Sequence, residues 1–182
     1  HLPHSQSNIW QDKLIISHAD NDHIGGYDVF TQAMSVGDVL TSRVDKIPIA
    51  SECLAGTHWN WGELEFEILS PSKNTPIGSN NLSCVLMLKY YDTRVLLTGD
   101  IERPVERYLL EQGVNVQADI VLVPHQGSQT SSIAAFIDAV NPALGLIAAG
   151  YRNQYRHPHG SVVKRYTERG IELLQTPMHG SV

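Results

Sequence analysis

Short apolar runs separated by polar and turn-forming residues set the first expectations. Strand patterns read at "KLIIS" (13–17), "KIPIAS" (46–51), "LEFEILS" (64–70), "SCVLMLKYY" (83–91), "RVLLTG" (94–99), "DIVLVP" (119–124), "ALGLIAA" (143–149) and "IELLQT" (171–176). Helical spacing predicts elements over 26–35, 103–112, 131–140 and 161–169. The polar, proline-bearing stretch "PSKNTPIGSNN" (71–81) reads as a loop, "NP" (141–142) ends a helix, and Trp59 and Trp61 in "THWNWG" read as turn and core residues. The first half is strands joined by short turns and the second half alternates helix with strand. That order predicts an α/β sandwich of two sheets covered by helices, with strand ends gathered along one edge.

Composition narrows this picture. The chain has 182 residues, 42% of them hydrophobic and 18% charged, enough for one domain with a buried core. No apolar run approaches the ~20 residues that span a bilayer. The chain opens on His1 and Leu2 without an initiating Met or a signal peptide, so it is read as a fragment of a longer protein. A formal charge of −6 argues against a general polyanion-binding surface, leaving a local patch or metal ions to make any nucleic-acid contact. Cys53 and Cys84 suit either one bridge in an oxidising compartment or two buried thiols.

Candidate chemistry sits where the apolar runs end. "LIISHADNDHIGG" (14–26) places His18, Asp20, Asp22 and His23 directly after the first strand pattern. Asp100 follows "LLTG", His125 follows "VLVP", and His157 and His159 follow "LIAAG". Asp before Gly is ordinary turn chemistry and one His after a strand is ordinary loop chemistry. Four groups of ligand-type residues at four successive strand ends call for more. A loop presenting His18, Asp20 and Asp22 alternately, with His23 beside them, can serve two ions, with Asp100 between and His125 completing the second. Two cations so held clamp the attacking and leaving oxygens of an ester under hydrolysis. Mixed nitrogen and oxygen ligands suit manganese or zinc. In "YRNQYRHPH" (151–159), Arg152 and Arg156 are expected to contact phosphate oxygens, with His157 or His159 donating a proton to the leaving oxygen. Lys164 and Arg165 are expected to extend that basic face. Ser128, Thr130 and Ser131 are expected to cap the following helix, with Ser128 also available to a phosphate.

The order "SHADNDHIGG", "NNLSCVLML", "LLTGDIE", "VPHQGS", "HPH" resembles the metallo-β-lactamase superfamily, in particular the carboxyl-terminal domain of ComEC-type competence proteins, from about Lys13 to Gln175. The resemblance implies a four-layer αβ/βα sandwich with a dinuclear metal site at its rim. It assigns His18, Asp20, Asp22, His23, Asp100 and His125 as ligands, and Asp22 as proton acceptor or holder of the attacking water; the catalytic part expected of His159 comes from its own segment and not from the resemblance. Asp20 stands where the superfamily pattern has a second His, Gln126 replaces the second His of "PHHGS", and Asn81 or Ser83 stands where a middle His ligand is expected. The superfamily's opening hairpin is not recognisable, so its first strands are expected to be missing.

The function implied is a metal-dependent nuclease in a DNA-uptake channel that degrades the strand not transported. Its partners would be DNA and the transmembrane and remaining soluble parts of the same protein, with no small-molecule cofactor. Location would be the bacterial inner membrane, this domain on the periplasmic side, where an oxidising environment favours a Cys53–Cys84 bridge. Alternatives are a DNA-binding or gating domain with little turnover, or a hydrolase of another phosphoester.

Overall fold

The computed structural model describes residues 10–180. Strand β1 (Trp10–Ile16) is followed by two short helices, α1 (Asn21–Ile24) and α2 (Tyr27–Ala33), then by β2 (Ser35–Thr41) and β3 (Ser51–Glu52). These strands form a parallel sheet in the order β1-β2-β3. Next come β4 (His58–Trp61), β5 (Leu64–Ser70), β6 (Val85–Tyr90), β7 (Thr93–Leu97), α3 (Arg103–Glu111), β8 (Ile120–Leu122), α4 (Ala134–Val140), β9 (Leu144–Ile147), α5 (Gly160–Thr167), β10 (Glu172–Gln175) and α6 (Thr176–His179). They build a seven-stranded sheet in the order β10-β9-β8-β7-β6-β5-β4, antiparallel from β4 to β7 and parallel from β7 to β10.

Three apolar clusters define the layers. Val105 and Leu109 of α3, Phe136, Ile137 and Val140 of α4, and Val162 and Tyr166 of α5 pack on Val121 and Ile147 of the large sheet. Phe66, Ile68 and Leu86 of the large sheet meet Ile15 of β1 between the two sheets. Ile16 and Val39 pack with Ile24 and Tyr27 on the outer face of the small sheet. The result is a four-layer αβ/βα sandwich, and among the described residues no helix is long and apolar enough to cross a membrane.

Several expected elements fall elsewhere. "KIPIAS" is a pair of turns rather than a strand, because Pro48 has no N–H for a ladder and the amides of Lys46 and Ile47 return to the Arg43 carbonyl. Its buried Ile47 anchors the turn in the core beside β2. The helix expected over 26–35 ends at Ala33, and "SVGDVLT" becomes β2, its buried Val39, Leu40 and Thr41 outweighing the low strand propensity of Gly37 and Asp38. The first half therefore opens with a strand–helix–strand crossover, not strands joined by short turns. Trp59 and Trp61 lie on edge strand β4 rather than in a turn. Trp59 stacks on Phe66 with ring centroids 4.9 Å apart, and Lys13 Nζ stands 4.9 Å above the Trp59 ring.

The N-terminus of α4 begins later than expected, and no serine or threonine side chain caps it. Glu106 of α3 does so instead, its carboxylate accepting from the amides of Ser132 (2.5 Å) and Ile133 (2.8 Å). Glu106 has no exposed surface, and this burial pushes its carboxyl up to about 7 despite those bonds. Cys53 and Cys84 are bridged, joining the segment after β3 to the start of β6 and so one sheet to the other.

Two measurements follow from these contacts. A folded-state pKa above the unfolded value means that the native state binds more protons, so the Glu106 contribution is complete below about pH 4.5 and declines as pH rises toward 7. Glu106→Gln removes that decline, so denaturant unfolding at pH 5 and pH 8 should show the variant gaining on the wild type at the higher pH; a pH-independent difference contradicts it. Reducing the Cys53–Cys84 bridge, which spans a sequence separation of 31 residues, should lower stability by about 3.7 kcal/mol. Equal denaturant midpoints for the oxidised and reduced forms would contradict this.

Candidate metal centre

The parallel arrangement of β7, β8 and β9 brings their carboxyl ends to one edge, and β1 delivers Ser17 to Asp22 to the same place. Two backbone features make the approach close. Gly99 has φ +55°, and a Cβ there would stand 2.8 Å from the Cβ of Ser83, so the turn after β7 can lie against Ser83 only as glycine. Gly127 has φ +79°, and its Cβ would come 2.7 Å from Pro158, so the "HPH" segment seats directly on the turn after β8. Within that turn His125 and Gln126 both have positive φ, 49° and 54°, a conformation costly for residues with side chains and concentrated at functional sites.

The imidazole of His18 is fully buried. Its Nδ1 lies 3.1 Å from Ser17 Oγ and 3.3 Å from Ser83 Oγ. Its Nε2 has no hydrogen-bond partner among the described residues and faces Asp20 Oδ2 at 3.7 Å. Burial keeps His18 below the usual histidine range, reinforced by the neighbouring His23, so it carries a lone pair rather than a charge. His23 directs Nδ1 at Ser17 Oγ (3.0 Å) and Nε2 at Asp100 Oδ2 (3.3 Å). Burial pulls the His23 pKa down, but the Asp100 hydrogen bond and charge outweigh it and raise it. Burial likewise pushes the nearly buried Asp100 carboxyl up, and the facing histidines more than reverse this. One donor atom each from His18, His23 and Asp100 lies within 4.8 Å of the others, a spacing that fits one cation.

Around this core the remaining sequence candidates divide. Asp20 Oδ1 accepts from Ser79 Oγ at 2.5 Å. Asp22 lies 3.7 Å from His23 Nε2 and accepts from Gln126 Nε2 at 3.1 Å, so Gln126 positions a carboxylate instead of standing idle. Asp22 and His23 ride on the single turn of α1, with Asp20 just before it, rather than on an alternating loop. His125 Nε2 is 3.8 Å from Asp100 and its Nδ1 is 3.4 Å from Glu102 Oε1, which also accepts from Thr130 Oγ1 at 2.6 Å.

Two cavities open beside the cluster. The smaller, about 310 Å³, is lined by Asp20, Asp22, Glu102, His125, Ser128 and His157 among others. The larger, about 600 Å³, runs past Asp22, His23 and Asp100 under the 150–155 loop. No lysine or arginine lines either one. His157 faces His125 with centroids 5.5 Å apart; burial lowers its pKa, as does the neighbouring His125.

His159 sits differently. Its Nδ1 caps α5 by accepting from Ser161 N (3.3 Å), and it lines neither cavity. Arg152 and Arg156 are exposed on the loop, Arg152 over the ring of Tyr151. The expected basic face is not continuous: Lys164 pairs with Glu168 at 3.5 Å, and Arg165 turns inward to donate to the Ser131 carbonyl at 3.0 Å. Ser128 is buried, 3.0 Å from Thr130 Oγ1, and lines the smaller cavity without capping α4.

Sequence reading overlooked Glu102, Ser17 and Ser79, and gave Ser83 a place in the pattern but no role. Glu102 had a signal, a second carboxylate two residues after Asp100 in "TGDIE". The serines had none, since a hydroxyl's partner is set by the fold. Ser83 stands where a middle histidine was sought and bonds to His18 Nδ1 and to the Asp100 amide (3.0 Å).

The donor set fits divalent cations. Imidazole nitrogens and carboxylates of low net basicity, without a competing cation, are the ligands such ions take. An imidazole nitrogen buried without a partner is costly unless something accepts its lone pair.

Comparison with known proteins agrees with this geometry. A model of the metallo-beta-lactamase superfamily matches residues 11–151. Competence protein ComA of Neisseria gonorrhoeae is 34% identical over 172 residues, covering 94% of this chain and 25% of that protein. ComE operon protein 3 of Bacillus subtilis is 31% identical, covering 94% of this chain and 24% of that protein. Recombination protein 2 of Haemophilus influenzae is 33% identical, covering 100% of this chain and 23% of that protein. The chain thus spans about a quarter of the length of these relatives. Among solved structures, a putative metal-dependent hydrolase from Parabacteroides distasonis superposes with a TM-score of 0.64 at 16% identity, covering 94% of this chain and 79% of that one. The diiron β-hydroxylase CmlA of Streptomyces venezuelae superposes with a TM-score of 0.59 at 13% identity, covering 90% and 43%. With the family model matching most of its length and these relatives above 30% identity, the chain belongs to the metallo-β-lactamase superfamily.

Proposed function

We propose that this chain is the metal-dependent phosphodiesterase domain of a longer DNA-uptake protein and hydrolyses the DNA strand that is not transported. The observation that carries the reading is His18 Nε2, buried without a hydrogen-bond partner among the described residues beside two acid- and imidazole-lined cavities that no described lysine or arginine lines. A phosphodiester brings negative charge to a site already rich in carboxylates, so only added cations can make its approach favourable. The names of the relatives and the quarter of their length that the chain covers support a DNA-uptake setting and a domain of 1–182 within a larger membrane protein. The Cys53–Cys84 bridge supports an extracytoplasmic side of the bacterial inner membrane, since disulfides persist in oxidising compartments.

In this reading His18, Asp20, Asp22, His23, Asp100 and His125 hold two divalent ions, manganese or zinc. Such ions supply charge neutralisation and a more acidic water when bound. Gln126 fixes Asp22, which accepts the proton lost when water attacks phosphorus. Glu102 and Thr130 fix the orientation of His125. Ser128 and His157 hydrogen-bond phosphate oxygens inside the cleft, and Arg152 and Arg156 contact the strand beyond it. His159 takes no such part, because its ring is engaged at the start of α5. A depressed pKa makes His157 a hydrogen-bond partner rather than the acid, and the leaving alkoxide takes its proton from water at the open rim.

Single-stranded DNA incubated with manganese-loaded protein should be cleaved, and Asp22→Ala should slow cleavage about a hundredfold or more. Equal rates for the two proteins, or binding without any cleavage, would overturn the hydrolase and favour a binding or gating domain. Glu102→Gln should weaken manganese affinity about 10- to 100-fold in a calorimetric titration, since a carboxylate that orients a histidine tunes its ligation. Unchanged affinity would remove Glu102 from the site.

A further inference from the structure

We infer that the larger cavity beside the cluster is a nucleobase chamber, which makes an unpaired nucleotide the unit the site accepts; this rests on the phosphodiesterase reading. The chamber of about 600 Å³ lies within the size range of small-molecule sites and shares Asp22 and Asp100 with the smaller cavity. Its walls are the aliphatic Leu122, Val123 and Ala148, and its polar lining includes the amides of Gln126 and Gln154. Its charged lining is confined to the ligand candidates Asp22, His23 and Asp100, and no lysine or arginine lines it to hold a phosphate apart from the cations of that reading. Aliphatic lining residues together with neutral amide groups suit a heteroaromatic ring.

Tyr155 completes the chamber and is the one aromatic residue to line both cavities. The residue is 71% exposed, its ring stacked loosely with His157 at 5.8 Å. An exposed aromatic on a floppy loop would say little, but this loop is braced. The Asn153 amide donates to the carbonyls of Gly150 (3.0 Å) and His157 (2.7 Å), and its oxygen accepts from the His157 amide (2.9 Å). The ring is thus presented at the lip, loosely stacked on His157 and otherwise largely exposed, and base–aromatic stacking is indifferent to base identity. A base held in a duplex is stacked and paired and cannot enter without being extruded, at the cost of that stacking and pairing. The chamber therefore selects single strands by shape rather than by sequence.

The test is binding rather than turnover. A single-stranded oligonucleotide carrying 2-aminopurine is titrated with the protein, with and without manganese, alongside a strand of equal length made of abasic sites. Wild type should change the 2-aminopurine fluorescence and bind the intact strand more tightly than the abasic one. Tyr155→Ala should lose about tenfold or more in affinity for the intact strand and nothing for the abasic strand, while Tyr155→Phe behaves as wild type. If Tyr155→Ala binds the intact strand as wild type does, or weakens both strands equally, the chamber is overturned. A protein that binds in this base-dependent way without cleaving keeps the chamber and loses the hydrolase; one that cleaves with no dependence on Tyr155 does the reverse.

Discussion

An imidazole nitrogen buried without a hydrogen-bond partner is the constraint on which the rest of the structure turns. Ordinary folding avoids it, because the lost water contacts are not replaced. Here His18 is locked by two serines on one side, so that its other nitrogen must face the carboxylate of Asp20 and the His23–Asp100 pair. Everything near it sharpens the same imbalance. Carboxylates gather from β1, β7 and α1, lysine and arginine are kept out of the cleft, and two consecutive side-chain-bearing residues are held at positive φ to bring His125 in. Without a cation, His23 and Asp100 partly neutralise one another. Such a pairing makes the folded chain tolerable, and both groups remain available as ligands.

The scaffold explains why these groups meet. Parallel strands β7, β8 and β9 all end at one edge, and a strand–helix–strand crossover in the other sheet sets His18 and α1 against that edge. The glycines at 99 and 127 remove the Cβ atoms that would hold Asp100 and the "HPH" segment away. Buried Glu106 plays a parallel structural part on the opposite face, holding the start of α4 from α3. The disulfide links the two sheets near the core between them.

Much of this was legible in the chain, and what was not has physical causes. Apolar runs after which ligand-type residues follow at once located β1, β7, β8 and the rim, because a strand's hydrophobic pattern and its abrupt end are both written locally. The turn at "KIPIAS" and the strand at "SVGDVLT" were exchanged because propensity is weak against burial: a proline removed one ladder, while a core partner rescued a strand containing glycine and aspartate. Gln126 looked like a lost ligand and proves to grip Asp22, a contact between residues far apart in sequence. His159 and Arg165 drew attention by residue type, yet one serves a helix cap and the other a buried carbonyl. Composition marks where reactive groups are plentiful, and only packing decides which face each other.

The most direct measurement is anomalous X-ray scattering from crystals of the protein grown with manganese. A manganese peak is expected within ligating distance, about 2.0–2.2 Å as for first-row divalent ions on imidazole and carboxylate, of His18 Nε2 and of at least one of Asp20, His23 and Asp100. A fully loaded crystal whose only manganese peaks lie on the outer surface, with His18 Nε2 still unligated, would contradict it.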